Sequence, residues 1–258
     1  MIMNRNDIIS KLNNVSPDTE EAIELESMLI FDELGWEIIY AEHELEDDPT
    51  LLGRTEQTEI LLRRYLDYSL KQLNPTLDDM VLNQAVDILR ADRSALSLVE
   101  ANREVYSHLK NGIPVTYRDD EGNEQTERVK VIDWENPEQN HFLLVSQLWV
   151  KGSMYRKRPD LVGFVNGIPL LLMELKESSV SLHHAYNDNL RDYKDTIPNL
   201  LWHNGIILLS NAREAKAGSL TAEWEHFTDW KKINDEGEEG RVDLETLIRA
   251  TCPKDRLL

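Results

Sequence analysis

Residues 158–176, RPDLVGFVNGIPLLLMELK, constrain the fold more than any other stretch of the chain. Two apolar runs, 161–166 and 168–176, meet at Asn166-Gly167, a dipeptide suited to a tight hairpin turn. Leu170–Met173 is apolar at every position, where a half-exposed strand would alternate, so the second run is expected to be covered on both faces and central in its sheet. In a strand, positions i and i+2 share a face, which brings Glu174 and Lys176 out side by side. A plain two-residue loop would pair Val165 with Ile168 and set Asp160 opposite Met173, on the wrong face for Glu174. A shift of one residue, through a longer loop or a bulge near Pro169, sets Asp160 opposite Glu174, and such a bulge is predicted.

The rest of the chain surrounds this hairpin with alternating periods. Helical spacing predicts a helix over 19–34, with Thr19 as N-cap and Gly35 as its stop, and a short strand at Trp36–Tyr40. Residues 55–111 read as three helices, 55–73, 77–91 and 94–110, broken at Asn74-Pro75 and Ala91-Asp92 and ended at Asn111-Gly112. A hairpin is expected from Val115–Tyr117 and Glu127–Trp134 around the turn DDEGNE, 119–124. Strands are predicted at 142–150, 161–166, 168–176 and 205–210, with helices at 181–195 and 219–231. The expected fold class is therefore α/β, a mixed central sheet of 129–134, 142–150, 160–166, 168–176 and 205–210 flanked by helices. The helices of 55–111 form an added helical subdomain inserted between 19–40 and 112–233. The acidic segment NDEGEEG, 234–240, reads as a linker, and 234–258 as the start of a further region.

Charge and cysteine usage narrow the function. Lys+Arg 28 against Asp+Glu 48 gives a net charge of −20, which repels phosphate backbones at long range. Against that background Lys151, Arg156, Lys157 and Arg158 form a local basic cluster, just upstream of Asp160. The single cysteine, Cys252, excludes an intrachain disulfide and a thiolate zinc cluster and suits a reducing compartment. With no signal-like N-terminus and no apolar run of membrane-spanning length, a cytoplasmic protein without membrane contact is expected. Histidine spacings for a zinc site, a Gly-x-Ser-x-Gly elbow, and the phosphate-binding G-x-x-x-x-G-K-[ST] loop are all absent from the sequence. Trp224, Phe227 and Trp230, three apart on the last predicted helix, read as core packing.

Asp160, Glu174 and Lys176 are the residue types that phosphodiester hydrolysis needs. Two carboxylates bind a hard divalent cation through oxygen, Mg²⁺ by default, and an adjacent lysine orients or deprotonates water or stabilises the pentacovalent phosphate. Asn189 and Tyr193, four apart on the following helix, share a face from which they can reach a phosphate or position the lysine.

At these residues the chain resembles the N-terminal nuclease region of the motor and endonuclease (R) subunit of type I restriction-modification enzymes, within the PD-(D/E)xK nuclease superfamily. The resemblance runs through Leu34-Gly35-Trp36, Leu73-Asn74-Pro75, Val131-Ile132-Asp133, Pro137-Glu138-Gln139-Asn140, the segment 158–176, Ile197-Pro198 and 217–222 before Phe227 and Trp230. It implies catalytic roles for Asp160, Glu174 and Lys176, metal binding by Asp160 and Glu174, and a supporting role for Glu24 on the first helix. It also implies Mg²⁺ with Mn²⁺ as a substitute, double-stranded DNA cut without sequence preference, and methyltransferase and specificity subunits as partners. Lys151, Arg156, Lys157, Arg158, Asn189 and Tyr193 are the expected DNA contacts. One departure is Asn189, where the family carries Gln. Such subunits also hold an ATP-driven translocase, so ATP is expected only through a motor outside this chain, which reads as the N-terminal piece of a longer protein. The alternative is a docking platform that joins that motor to its partners with little cleavage of its own.

Overall fold

The computed structural model describes residues 1–48, 50–118, 121–230 and 243–258. Helix α1 (Arg5–Leu12) and helix α2 (Glu20–Glu33) lead into strand β1 (Glu37–Tyr40), and a helical turn α3 (Glu44–Asp47) follows. Helices α4 (Arg63–Leu73), α5 (Asp79–Arg90) and α6 (Leu98–Asn111) come next, then a hairpin of β2 (Ile113–Arg118) and β3 (Glu124–Val129). Strands β4 (Phe142–Ser146), β5 (Val150–Lys151), β6 (Arg156–Lys157), β7 (Leu161–Val165) and β8 (Ile168–Leu175) precede a π-helical turn, Ala185–Leu190, that runs into α7 (Arg191–Thr196). The short α8 (Pro198–Leu201), β9 (Ile206–Ser210), β10 (Ala215–Gly218), β11 (Thr228–Asp229), α9 (Leu244–Thr251) and α10 (Lys254–Leu257) complete the order.

Seven strands form one mixed sheet, ordered β1-β4-β7-β8-β9-β10-β11. The pairs β1 with β4 and β8 with β9 are parallel, while β4–β7, β7–β8, β9–β10 and β10–β11 are antiparallel. Every residue of β4, β7 and β8 is buried, as their continuous apolar runs require of strands covered on both faces. Helix α2 covers one face, packing Ile23, Met28 and Phe31 in a core shared with α4, α5 and α6, and the segment from Ala185 to Leu201 covers the other with Tyr186, Leu190 and Tyr193.

The α2 helix begins as expected: the Thr19 hydroxyl accepts from the Ala22 amide at 3.2 Å, and Gly35 takes φ +78 just past its end. Other expected boundaries shift. The predicted helix over 55–73 starts only at Arg63, because Glu59 turns back to accept from the Thr55 and Glu56 amides, and the Leu62 amide bonds to the Gly167 carbonyl at 2.9 Å. The predicted strand over 142–150 breaks at Gln147, whose φ is +57, and resumes as the separate β5–β6 hairpin. Residues 129–134 do not enter the central sheet. The Lys130 amide bonds to the Asn74 side chain at 2.8 Å and the Asp133 amide to Asn140 at 2.8 Å, so side-chain amides satisfy backbone that a ladder would otherwise pair. β1 takes the edge position beside β4 instead.

The predicted helix over 219–231 is not formed. A single 3-10 turn at Trp224–His226 is followed by β11, which pairs with β10, and the Phe227 ring lies over Gly218 where an added Cβ would come within 2.5 Å. Phe227 is buried as expected of core packing, whereas Trp230 is 41% exposed. Residues 243–258 pack back onto the body rather than leading away from it. Leu247, Ile248 and Cys252 are fully buried, and the Trp36 indole donates to the Cys252 carbonyl at 3.1 Å. The segment 234–240 and residues 119–120 of the turn lie outside the described residues.

Candidate active site

The predicted bulge is present. Val165 pairs with Ile168 and Phe164 with Pro169, but Gly163 pairs with Leu171, so Leu170 is the extra residue. The turn itself has two residues, Asn166 (φ +52) and Gly167 (φ +78), the backbone of a type I′ hairpin. Asn166 tolerates this conformation and is anchored: its side chain donates to the Val131 carbonyl at 2.9 Å and to Asn140 at 2.8 Å, and accepts from the His141 amide at 2.8 Å. Beyond the bulge Leu161 pairs with Met173, which sets Asp160 opposite Glu174.

Five predicted residues, Asp160, Glu174, Lys176, Glu24 and Tyr193, lie together here. The Asp160 carboxylate accepts from the Leu175 amide at 2.7 Å through Oδ2. Glu174 lies 3.5 Å from the Lys176 ammonium through Oε1 and accepts from the Tyr193 hydroxyl at 3.1 Å through Oε2. Lys176 also reaches Glu20 at 3.4 Å and donates to the Leu175 carbonyl at 2.8 Å. Glu24 projects from α2 between the Ser146 hydroxyl, which donates to Oε1, and the Gln147 side chain, which donates to Oε2 at 2.6 Å. A cleft of about 360 Å³ opens beside Glu24 and Asp160, lined also by Glu20, Tyr40, Glu42, Gln147 and Arg158, with Glu174 and Lys176 outside its lining.

Burial dominates the electrostatics. It pushes Glu24 up to about 7, against the bonds from Ser146 and Gln147, with Asp160 adding to the rise. Asp160 is pushed up to about 6, again by burial, although the Leu175 amide and Lys176 pull the other way. Glu174 is raised well above the ordinary carboxylate range by burial and by Asp160. Burial acts to lower Lys176, but Glu174, Glu20 and Asp160 outweigh it and the ammonium is held more tightly than usual. The Tyr193 phenol is driven upward by burial and then by Glu174.

These shifts describe a buried acid pair short of positive charge. Asp160 Oδ1 has no hydrogen-bond partner among the described residues, and a divalent cation against Asp160 and Glu174 would return both to the ionised form. Among the described residues no three acidic, histidine or cysteine side chains converge as a closed metal cage. Asp160 and Glu174 are the residues whose carboxylate oxygens could hold a hard divalent cation.

The other predicted residues are less uniform. Asn189 is half-buried on the π-helical turn with its side chain against the Tyr193 hydroxyl. Lys157 is paired with Asp192 at 2.7 Å and Arg158 with Glu42, so part of the basic cluster is already neutralised. Lys151 and Arg156 are exposed on the β5–β6 hairpin. Sequence reasoning missed Ser146, Gln147 and Glu20. Glu20 was hidden among the neighbouring acids of 20–26, and nothing in a lone Ser-Gln marks it as a carboxylate clamp.

A mixed sheet whose bulged central hairpin presents paired carboxylates and a lysine at one end defines a nuclease-like α/β domain. The chain belongs to the type I restriction enzyme R protein N terminus family, which matches residues 17–226. It is 30% identical over 248 residues, 93% of its length, to the type I restriction enzyme HindI endonuclease subunit of Haemophilus influenzae. It is 31% identical over 212 residues, 80% of its length, to the putative type I restriction enzyme MjaIXP endonuclease subunit of Methanocaldococcus jannaschii. The chain spans 23% and 19% of the lengths of these relatives. No helix among the described residues is long and apolar enough to cross a membrane.

Proposed function

We propose that this chain is a metal-dependent endonuclease domain that hydrolyses phosphodiesters of double-stranded DNA without intrinsic sequence preference. The carrying observation is the acid pair Asp160 and Glu174 across the bulged strand pair, with the Lys176 ammonium 3.5 Å from Glu174. Asp160 and Glu174 would hold Mg²⁺ or Mn²⁺, which when bound supplies Lewis-acid activation of water and charge neutralisation at the phosphate. Lys176, kept protonated by its three acidic neighbours, stabilises negative charge developing on the phosphate and orients the attacking water. Tyr193 fixes the Glu174 carboxylate from behind, and Glu24 contributes a third acid beside Asp160. Arg156 and Lys151 contact flanking phosphates. Methyltransferase and specificity subunits, and an ATP-driven motor outside these residues, complete the complex in this reading.

Calorimetric titration of the chain with Mg²⁺ and with Mn²⁺, alongside Glu174→Ala and Lys176→Ala, tests it. Binding at one site that Glu174→Ala removes and Lys176→Ala retains is expected, together with nicking of supercoiled plasmid that both variants lose. Identical titrations for all three proteins would show that Glu174 holds no metal and leave a docking platform as the function.

A further inference from the structure

The β5–β6 hairpin is fixed at its base and bare at its tip. Val150 is fully buried, the Lys151 amide donates to the Gln57 carbonyl at 2.9 Å, and the Lys151 carbonyl accepts from the Asn199 side chain at 3.2 Å. Gly152 lies so close to α7 that an added Cβ would come within 2.0 Å of the Thr196 carbonyl oxygen. The turn is closed by the Gly152 amide bonding to the Tyr155 carbonyl at 2.9 Å. From this anchored base two large apolar residues project: Met154 is 79% exposed and Tyr155 57%.

Along the sequence the hairpin carries charge of one sign, and with Lys157 paired to Asp192 and Arg158 to Glu42 its exposed cations are Lys151 and Arg156. From Gln147 to Pro159 the sequence QLWVKGSMYRKRP holds no acidic residue, in a chain whose net charge is −20. Arg156 and Arg158 both lie over the Trp149 ring, at 4.6 and 5.3 Å, which holds the two guanidiniums at the root of the hairpin. The hairpin then runs through Arg158-Pro159 directly into Asp160. A two-stranded ribbon fits a duplex groove, and apolar side chains set between basic ones are the pattern of a wedge against base edges. An anionic membrane would attract the same charge, but two side chains on a tight turn offer far less apolar area than an interfacial helix.

We propose that this hairpin is an arm that enters a groove of duplex DNA, with Met154 and Tyr155 against the bases and Lys151 and Arg156 on the bordering phosphates. It rests on the nuclease reading and adds how duplex is led to Asp160. Binding of the whole chain to a fluorescein-labelled duplex, measured in Ca²⁺ over a series of salt concentrations, separates the contributions. Met154→Ser with Tyr155→Ser is expected to weaken binding at least tenfold at every salt concentration, since each apolar side chain buried against the bases accounts for about that much, and to leave the salt slope unchanged. Lys151→Gln with Arg156→Gln is expected to flatten the log–log slope by about 2, the release of two phosphate contacts. Tip variants that bind like the parent, a parent that does not bind duplex, or capture on phosphatidylserine vesicles in preference to duplex would each overturn the proposal. Plasmid nicking in Mg²⁺ by the tip variant at saturating enzyme, with Asp160→Ala as the inactive reference, keeps the nuclease reading separately testable: nicking with parent-like binding refutes the arm alone.

Discussion

Asp160 shows how burial shapes the site before any cation arrives. Its carboxyl is raised to about 6 in the fold against an ordinary value of 3.8, so the folded state holds its proton more tightly than the unfolded chain does. The stability this contributes is complete below about pH 4 and lost as pH rises through 6. Asp160→Asn keeps an acceptor for the Leu175 amide and removes the ionisation, so in EDTA near pH 8 it is expected to stabilise the protein by roughly 2–3 kcal/mol while abolishing nicking. Thermal unfolding from pH 8 down to pH 4 checks the sign, because the advantage must fade with acid. Gln147 gives a second test. Its φ of +57 favours glycine while its side chain holds Glu24. Gln147→Gly is therefore expected to be more stable than Gln147→Ala by about 1 kcal/mol in thermal unfolding, with nicking reduced in both. The grouping of Asp160, Glu174 and Lys176, the residues proposed to carry the chemistry, was legible because they terminate apolar runs. Ser146 and Gln147 were not, because a clamp built from common polar residues acquires meaning only once a strand 122 residues from Glu24 is folded against it.

The strands of the site were readable because their pattern is extreme, and the bulge followed from demanding that two acids share a face. Gly167 carries much of that geometry: with φ +78, an added Cβ would also sit 2.6 Å from the Leu62 carbonyl oxygen. Gly167→Ala is expected to cost about 1–3 kcal/mol in denaturant unfolding and to depress nicking, since the hairpin sets the register that faces Asp160 toward Glu174. The helix after the site was less readable. Spacing of four between Asn189 and Tyr193 assumed α periodicity, whereas 185–190 winds as a π-turn, which local composition does not announce. The final predicted helix failed for a related reason: a Trp–Phe–Trp spacing of three suits a helix, but Phe227 finds its place over Gly218 and an edge strand forms instead.

At the scale of the molecule, the proposed cation site predicts that a divalent metal adds to stability. Mg²⁺ at about a hundred times its dissociation constant is expected to stabilise the parent by about 2.7 kcal/mol and to leave Glu174→Ala unmoved, read as a shift in thermal midpoint. The architecture as a mixed sheet between helices was legible from alternating periods, but closure of the body by 243–258 was not, because α9 and α10 lie beyond an acidic stretch that reads as an exit. Their return brings Cys252 to the Trp36 indole, fully buried, with burial pushing its thiol up to about 12. A thiol so placed is silent toward alkylating reagents while the C-terminal helices stay docked. The protein thus carries a chemical clock of its own: the rate at which Cys252 is labelled counts how often those helices lift from the core.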